Sequence, residues 1–225
     1  SEKEGKEVCA NKIYNHDGIE VSACGSGSRC IAYLISKENN QKTVKLEAEK
    51  KILEAEILSE KLVRINMGLP EFEDDKSIPI KKGLDPRKVS IDFMKKEYGN
   101  GICVNVGNPH IVFFVKDCEK IDIQKIGPKI ENHHYFPERI NVTFAEVADD
   151  CENIKVNVWE RGAGLTKACG TAACATAFAA FKNKLVNNKV DIKFKEGFLN
   201  IEIDKSNNIF MAGPVSVIKN IKIDI

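Results

Sequence analysis

The chain has 225 residues, a net charge of +1 and 43% hydrophobic residues, which indicates a globular protein rather than a disordered one. The balanced charge argues against nucleic acid or an anionic membrane as partner, and no apolar stretch approaches the roughly 20 residues of a membrane span. The eight cysteines are irregularly spaced, without a Cys-x-x-Cys pair. We therefore expect reduced thiols in a cytoplasmic protein, and no metal site.

The first part of the chain is predicted to form one helix among several strands. Residues 10–15 are predicted to be a strand, and residues 24–36 a helix with apolar contacts on one side. Apolar residues then alternate with period near two in three further predicted strands, residues 42–48, 51–58 and 62–67. Met-Gly-Leu-Pro at 67–70 is expected to end the last of these strands. The charged stretch 71–85 that follows contains proline and glycine, and this composition predicts a linker.

The second part repeats this pattern at greater length. A short helix is predicted at residues 121–131, and the alanine-rich segment 169–185 is predicted to be the longest helix. Predicted strands occupy residues 89–93, 101–106, 111–115, 139–147, 153–160, 189–194, 198–203 and 209–212. Gly213 and Pro214 are expected to break the chain before a last strand at 215–225. Many antiparallel strands with one long helix per half predict an α+β fold.

Two segments look like copies of one cysteine-containing motif. Ala-Cys-Gly-Ser at 23–26 matches Ala-Cys-Gly-Thr at 168–171, and the same spacing aligns Asn15 with Glu160. Each cysteine precedes a helix-compatible run, where free backbone N–H groups and the helix dipole stabilise a thiolate. Two such thiols on related halves predict a two-base proton-transfer enzyme.

The remaining thiols are predicted to be ordinary buried residues, because cysteine is a small apolar side chain. They are Cys9, Cys30, Cys103, Cys118, Cys151 and Cys174. Arg139 is interpreted as a structural residue that pairs with a carboxylate, and His133 and His134 as a surface loop.

Several motifs, in order along the chain, resemble those of the diaminopimelate epimerases. They are Asn15-x-Asp-Gly-x-Glu-Val, Cys24-Gly-x-Gly-x-Arg-Cys30, Val63-Arg-x-Asn-Met-Gly68, Gly107-Asn-Pro-His110, Phe136-Pro-Glu-Arg-x-Asn141 and Glu160-Arg-Gly-Ala-Gly-x-Thr-x-Ala-Cys-Gly170. The family's N-terminal segment has no counterpart, so we expect the chain to lack roughly the first fifth of the family's length.

The resemblance implies two pseudo-symmetric domains, each of mostly antiparallel strands wrapped around a central helix, with the active site in the cleft between them. Residues 1–68, completed by 214–225, would form the first domain and residues 69–213 the second. The implied reaction is cofactor-independent epimerisation of the small molecule LL-2,6-diaminopimelate to the meso isomer, for lysine and peptidoglycan precursor synthesis. The oligomeric state stays open, a homodimer included.

The resemblance also implies roles for individual residues. Cys24 and Cys169 match the two catalytic cysteines, and His110 matches a histidine that assists them. The substrate-binding polar groups are Asn15, Asn108, Asn141, Glu160 and Arg161. The backbone N–H groups that hold the reacting carboxylate belong to Gly25, Ser26, Gly170 and Thr171.

Two other functions fit parts of the pattern. One is another racemase of the same fold, of the proline type, although Asn141, Glu160 and Arg161 argue against it because a proline site needs no distal charge recognition. The other is a folded, catalytically inactive module lacking the N-terminal segment. Proton exchange at the substrate Cα separates the first of these from diaminopimelate epimerisation.

Overall fold

The computed structural model describes residues 8–11, 25–48, 51–73 and 77–216. The chain divides into two compact units. Unit 1 comprises Ser1–Asn66 and Ala212–Ile225, and unit 2 comprises Met67–Met211. The predicted strand beyond Asn11 and most of the predicted last strand lie outside the described residues.

The described residues form four helices and a larger number of strands. The helices are α1 (Gly25–Asn39), α2 (Asp92–Tyr98), α3 (Ile123–Glu131) and α4 (Gly170–Lys182). The strands are β1 (Val8–Asn11), β2 (Thr43–Ala48), β3 (Lys51–Ser59), β4 (Leu62–Gly68), β5 (Ile102–Asn105), β6 (Pro109–Phe114), β7 (Asn141–Val147), β8 (Asn153–Glu160), β9 (Gly164–Leu165), β10 (Lys189–Phe194), β11 (Gly197–Ile203) and β12 (Ile209–Pro214). This mixture confirms the predicted α+β class.

In the residues that the structure describes, unit 1 is a sheet covered by helix α1. Its strands follow the order β1-β2-β3-β4 and end at the last residues of β12. β1 and β2 are parallel, whereas β2, β3 and β4 are successively antiparallel. Alternate residues such as Val44, Leu46 and Val63 are buried, and α1 packs on β2 and β3. The period-two pattern of the sequence therefore marks the face that α1 covers.

Unit 2 has its strands in the order β12-β11-β10-β8-β7-β6-β5, with β9 paired to the end of β8. α4 lies against β5, β6, β7, β10 and β11, and α3 lies against β7, β8 and β9. Val142 and Phe144 of β7 share a core cluster with Ile130 of α3. Because side chains alternate along a strand, Thr143 and its β8 partner Val158 face the opposite side, where Val158 packs with Cys169 and Ala172.

α4 is buried from Gly170 to Ala180 on every side. A helix that is apolar all round belongs in the interior, and its many alanines let the strands approach the helix backbone closely. The helix is shorter than the prediction of residues 169–185, and α1 is longer than α4, so the prediction that α4 is the longest helix was wrong.

The structure corrects three other local predictions. Residues 89–93 are not a strand: Val89 makes a single bridge to Gly101, and α2 follows. Ile91 and Met94 are fully buried while Phe93 is 49% exposed, a spacing that suits a helix and not a strand.

Residues 71–85 do not form a linker in their described parts. Glu71 pairs with Asn105 through two backbone hydrogen bonds, and Ile78 and Ile80 are buried in the core of unit 2. β12 also runs through Gly213 to Pro214, and the N–H of Val215 then donates to the carbonyl of Lys61. A proline at the end of a strand costs the sheet little, because only one ladder donor is lost there.

Replacing Gly127 of α3 by alanine is expected to destabilise unit 2, although alanine normally favours a helix. The new methyl would lie 2.6 Å from Cγ of Trp159, whose ring packs on Gly127. Displacing the ring should lower the free energy of unfolding by about 1–3 kcal/mol. Urea denaturation followed by the emission of Trp159, the single tryptophan of the chain, measures this change.

Gln124→Ala, at an exposed position of the same helix, is the control and should change the free energy of unfolding by less than about 0.5 kcal/mol. Unchanged or higher stability of Gly127→Ala would show that the close approach of α3 to Trp159 is not a constraint on the fold.

Candidate functional site

The sequence-predicted site residues of unit 2 meet where four elements begin or end. Asn108 and His110 lie at the start of β6, and Asn141 begins β7 directly beside His110. Glu160 ends β8, which is antiparallel to β7, and Cys169 precedes α4. The antiparallel return of β8 thus brings its last residues to the same end of the sheet as the first residues of β6 and β7.

Cys169 occupies the N-cap position of α4, with an extended backbone (φ −142°, ψ 114°). It is 7% exposed and packs with Val158 and Ala172. Its Sγ lies 3.4 Å from Oγ1 of Thr171 in the first turn of the helix. The thiol is therefore held in a largely apolar pocket with one polar neighbour on its own helix.

The environment of Cys169 favours the thiol form. Burial raises the pKa of Cys169 most strongly, and the Glu160 carboxylate raises it further, while the Thr171 hydroxyl and the Ala172 N–H lower it. The helix N-terminus was expected to favour a thiolate, but desolvation and the nearby negative charge outweigh it.

His110 is fully buried and forms a pair with Asn108. Its Nε2 lies 2.9 Å from Oδ1 of Asn108. An amide oxygen accepts, so this pairing assigns the imidazole proton to Nε2 and leaves a lone pair on Nδ1. Nδ1 is buried and has no hydrogen-bond partner among the described residues. Burial, and then the charge of Arg161, lower the pKa of His110 to about 3, so its imidazole is neutral at pH 7.

Asn141 connects β6 to the end of β8. It is 3% exposed, and its Nδ2 donates to the carbonyl of Pro109 at 2.8 Å. Its Oδ1 accepts from the backbone N–H of Arg161 at 2.9 Å. Arg161 in turn donates through Nη1 to the carbonyl of Glu138 at 2.9 Å. In this structure Asn141 acts on the backbone that carries Arg161, while the Arg161 side chain is half-buried.

Sequence reasoning missed Glu131, which supports the same region. Its carboxylate accepts from Nε1 of Trp159 at 2.7 Å, the N–H of Gly162 at 3.0 Å and Nη1 of Arg139 at 3.2 Å. The ion pair confirms the interpretation of Arg139 as a structural residue. Trp159 and Gly162 lie 28 and 31 residues from Glu131 in the sequence, so only the nearer motif around Arg139 carried any local signal.

The site residues predicted in unit 1 are described only in part. Gly25 and Ser26 begin α1, with Gly25 buried and Ser26 exposed. Oγ of Ser26 accepts from Nη2 of Arg29 at 3.5 Å. Asn15 and Cys24 lie outside the described residues.

Among the described residues, no group of three or more histidine, cysteine, aspartate or glutamate side chains is arranged to hold a metal ion. In those same parts of the chain, no helix has the length and apolar character needed to cross a membrane. The groups available for chemistry at this end of unit 2 are a buried thiol, a neutral imidazole, two amides, a carboxylate and a guanidinium.

Comparison with known sequences identifies relatives over nearly the whole chain. The family model for diaminopimelate epimerase matches residues 102–218. A diaminopimelate epimerase from Pelagibacter ubique is 50% identical over 225 residues, covering 98% of this chain and 81% of that protein. Another from Erythrobacter litoralis is 40% identical over 205 residues, covering 91% of this chain and 72% of that protein.

Solved structures share the fold at low sequence identity. A predicted epimerase from Pseudomonas aeruginosa superimposes with a TM-score of 0.65 at 13% identity, covering 95% of this chain and 78% of that one. A phenazine biosynthesis protein of the PhzF family from Enterococcus faecalis has a TM-score of 0.62 at 16% identity, covering 94% and 76%. These likenesses support the α+β architecture alone.

The sequence relatives are close enough, and cover enough of each chain, to decide the family. The motifs that suggested it include the Gly-Asn-Pro-His, Glu-Arg-Gly and Ala-Cys-Gly segments, which the fold of unit 2 brings to one end of its sheet. The chain belongs to the diaminopimelate epimerase family and is therefore an isomerase.

Proposed function

We propose that the protein converts LL-2,6-diaminopimelate to meso-2,6-diaminopimelate without a cofactor, in the synthesis of lysine and peptidoglycan precursors. The observation that carries the proposal is the buried Cys169 thiol at the start of α4, beside the Glu160 carboxylate. Asn108, His110, Asn141 and Arg161 are linked to this region by hydrogen bonds or charge. A reaction at one Cα of an amino acid with a zwitterionic group at each end needs these kinds of groups.

The proposed chemistry uses two thiols. Inversion at Cα removes a proton from one face and adds one to the other, so one cysteine acts as a thiolate base and the other as a thiol acid. The base becomes a thiol as it takes the proton, the acid becomes a thiolate, and the roles exchange in the reverse reaction. Burial and the Glu160 carboxylate raise the pKa of Cys169, which favours its thiol form as the acid. Cys24 would then be the base for the same turnover.

The negative charge that develops on the substrate needs stabilisation without an electron sink. The N–H groups of Gly170 and Thr171 belong to the first turn of α4, where they lack intrahelical acceptors. Gly25 and Ser26 have the same position in α1. We infer that these N–H groups hold the α-carboxylate, because helix N-termini favour anions.

The distal end of diaminopimelate is a zwitterion, which suits the turn after β8. Arg161 offers a planar set of donors for a carboxylate, and its bond to the carbonyl of Glu138 limits how far the side chain can move. Glu160 with Asn15 and Asn108 would receive the ammonium and the remaining polar atoms, while Asn141 would contribute through the backbone of Arg161 that it holds. We also infer that the two compact units correspond to epimerase domains of residues 1–68 with 214–225, and 69–213.

Proton exchange tests the activity directly. In heavy water, LL-diaminopimelate incubated with the protein should gain deuterium at Cα and yield the meso isomer, with proline as the control substrate. Exchange of proline but not of diaminopimelate would favour the proline-type racemase. Exchange of neither by this chain, with activity in a longer form of the protein, would identify the chain as an inactive module.

Cys24→Ala and Cys169→Ala should each abolish epimerisation while leaving the fold intact, because each removes one of the two proton carriers. Cys103→Ala is the matched control, since Cys103 is a fully buried thiol of β5 that belongs to the core cluster with Ile111 and Phe113 and is not a proposed site residue. It should retain activity even if its melting temperature falls. Activity assays beside thermal melting decide the matter, and near-normal turnover by either site variant refutes the two-base scheme.

Arg161→Lys should impair use of diaminopimelate although it keeps the charge, because an ammonium cannot form two parallel bonds to a carboxylate. Loss of one charge-assisted bond, worth about 1.5–3 kcal/mol, should lower kcat/KM by roughly one to two powers of ten. Arg87→Lys, at an exposed ion pair with Asp85, is the control and should be unchanged. Equal kcat/KM for Arg161→Lys and wild type would make Arg161 structural.

The neutrality of His110 predicts a pH dependence of stability. An unfolded histidine binds a proton below about pH 6.5, whereas folded His110 stays neutral until its pKa of about 3. Between these values the unfolded state binds more protons, so stability falls as the pH is lowered, by about 2 kcal/mol between pH 7 and pH 5.

Urea denaturation at pH 7 and pH 5 measures this loss of stability. His110→Gln should remove most of the difference, whereas His134→Gln, at an exposed position, should leave it unchanged. A wild-type stability that does not change between the two pH values would contradict the buried, neutral state of His110.

A further inference from the structure

Glu131 lies where a carboxylate is unfavourable. It is the last residue of α3 and is 5% exposed, although the C-terminus of a helix carries partial negative charge. Burial of an ion also costs free energy unless hydrogen bonds replace the lost water. A carboxylate kept at such a place needs strong local partners.

The partners of Glu131 flank the pair of residues proposed to bind the substrate's distal end. Nε1 of Trp159 donates to Oε2 at 2.7 Å, and the N–H of Gly162 donates to Oε1 at 3.0 Å. Glu160 and Arg161 stand between these two donors in the sequence. One carboxylate thus holds the chain immediately before and immediately after them.

The segment that Glu131 holds is a tight turn. The N–H of Ala163 donates to the carbonyl of Glu160 at 3.1 Å, which closes the turn. Gly162 has φ +76°, a left-handed conformation that suits glycine. The N–H of Arg161 donates to Asn141, so the two central N–H groups of the turn go to two different side chains, Asn141 and Glu131.

Arg139 completes the arrangement from the outer side. Its Nη1 lies 3.2 Å from Oε1 of Glu131, and its side chain is 54% exposed against 6% for that of Glu131. The guanidinium also lies beside Gly162, where it would approach an added Cβ to 3.9 Å. Its charge offsets part of the cost of burying the carboxylate, although solvent screening weakens an exposed partner.

We propose that Glu131 is a positioning residue of the site, whose buried carboxylate fixes the turn Glu160–Ala163 so that Glu160 and Arg161 are presented to the substrate. The inference rests on the proposed function for what the turn binds, and on the described contacts for how it is held. Glu131 acts through the turn and through Trp159, and it touches neither the substrate nor the reacting thiols.

The test compares Glu131→Ala and Glu131→Gln with wild type in steady-state epimerisation of LL-diaminopimelate. Glu131→Ala releases both backbone and indole donors, and should lower kcat/KM by roughly ten- to a hundredfold, mainly through a higher KM. Glu131→Gln keeps the shape and one acceptor oxygen, and should lose only roughly three- to tenfold. Both changes should shift the emission of Trp159, because its indole N–H loses a charged acceptor.

Ile130→Val is the control for a merely structural effect. Ile130 is the fully buried neighbour of Glu131 on α3, and it belongs to the core cluster of unit 2. This variant should lower the melting temperature while keeping kcat/KM within about twofold of wild type. If Glu131→Ala does not fold, Glu131→Gln decides alone, by its kcat/KM and its Trp159 emission.

The outcomes separate the two proposals. An active wild type with unchanged kcat/KM and KM in the folded Glu131 variants overturns the positioning role and leaves the proposed function standing. Inactivity of the wild type, both as this chain and in a longer form of the protein, overturns the proposed function. Amide exchange then tests the contact: faster exchange at Gly162 in Glu131→Gln supports the role of Glu131, and unchanged exchange overturns it.

Discussion

The burial of α4 against the sheet is the constraint on which the rest of unit 2 depends. The helix is enclosed from Gly170 to Ala180 and is made mostly of small residues, with Phe178 as the exception, and its start lies near the ends of the strands around it. That geometry delivers Cys169 to the same end of the sheet as the starts of β6 and β7 and the end of β8. A buried helix therefore sets the position of the thiol more rigidly than a surface loop would.

Around this thiol, some polar residues support the backbone and others are proposed to bind the substrate. Asn141 and Glu131 are buried and satisfied by backbone and indole donors, so they hold the chain that follows β8. Glu160 and Arg161, which that chain carries, remain only half-buried. Rigid buried acceptors behind partly exposed side chains are a general way to hold a binding geometry without leaving polar groups unpaired.

The electrostatic state of the site follows from desolvation more than from the helix dipole. Burial raises the pKa of Cys169 and lowers that of His110, so both groups are uncharged at neutral pH. A bound carboxylate and ammonium would therefore be the main new charges near them. In the proposed reaction, the substrate's own charge would thus help to decide when the thiol gives up its proton.

The sequence alone determined the α+β class, most strands of both units, the helices α1, α3 and α4, and the family. Period-two alternation and short ordered motifs are local signals, and β8 and β10 have the predicted bounds. Tertiary structure decided the rest. Residues 91–94 lead into helix α2 instead of forming a strand, because helical spacing lets Ile91 and Met94 both reach the core. Strand β12 continues to Pro214, because strand pairing outweighs the one hydrogen-bond donor that proline lacks. The thiol state of Cys169 and the role of Glu131 depend on burial and on partners distant in sequence, which no local pattern records.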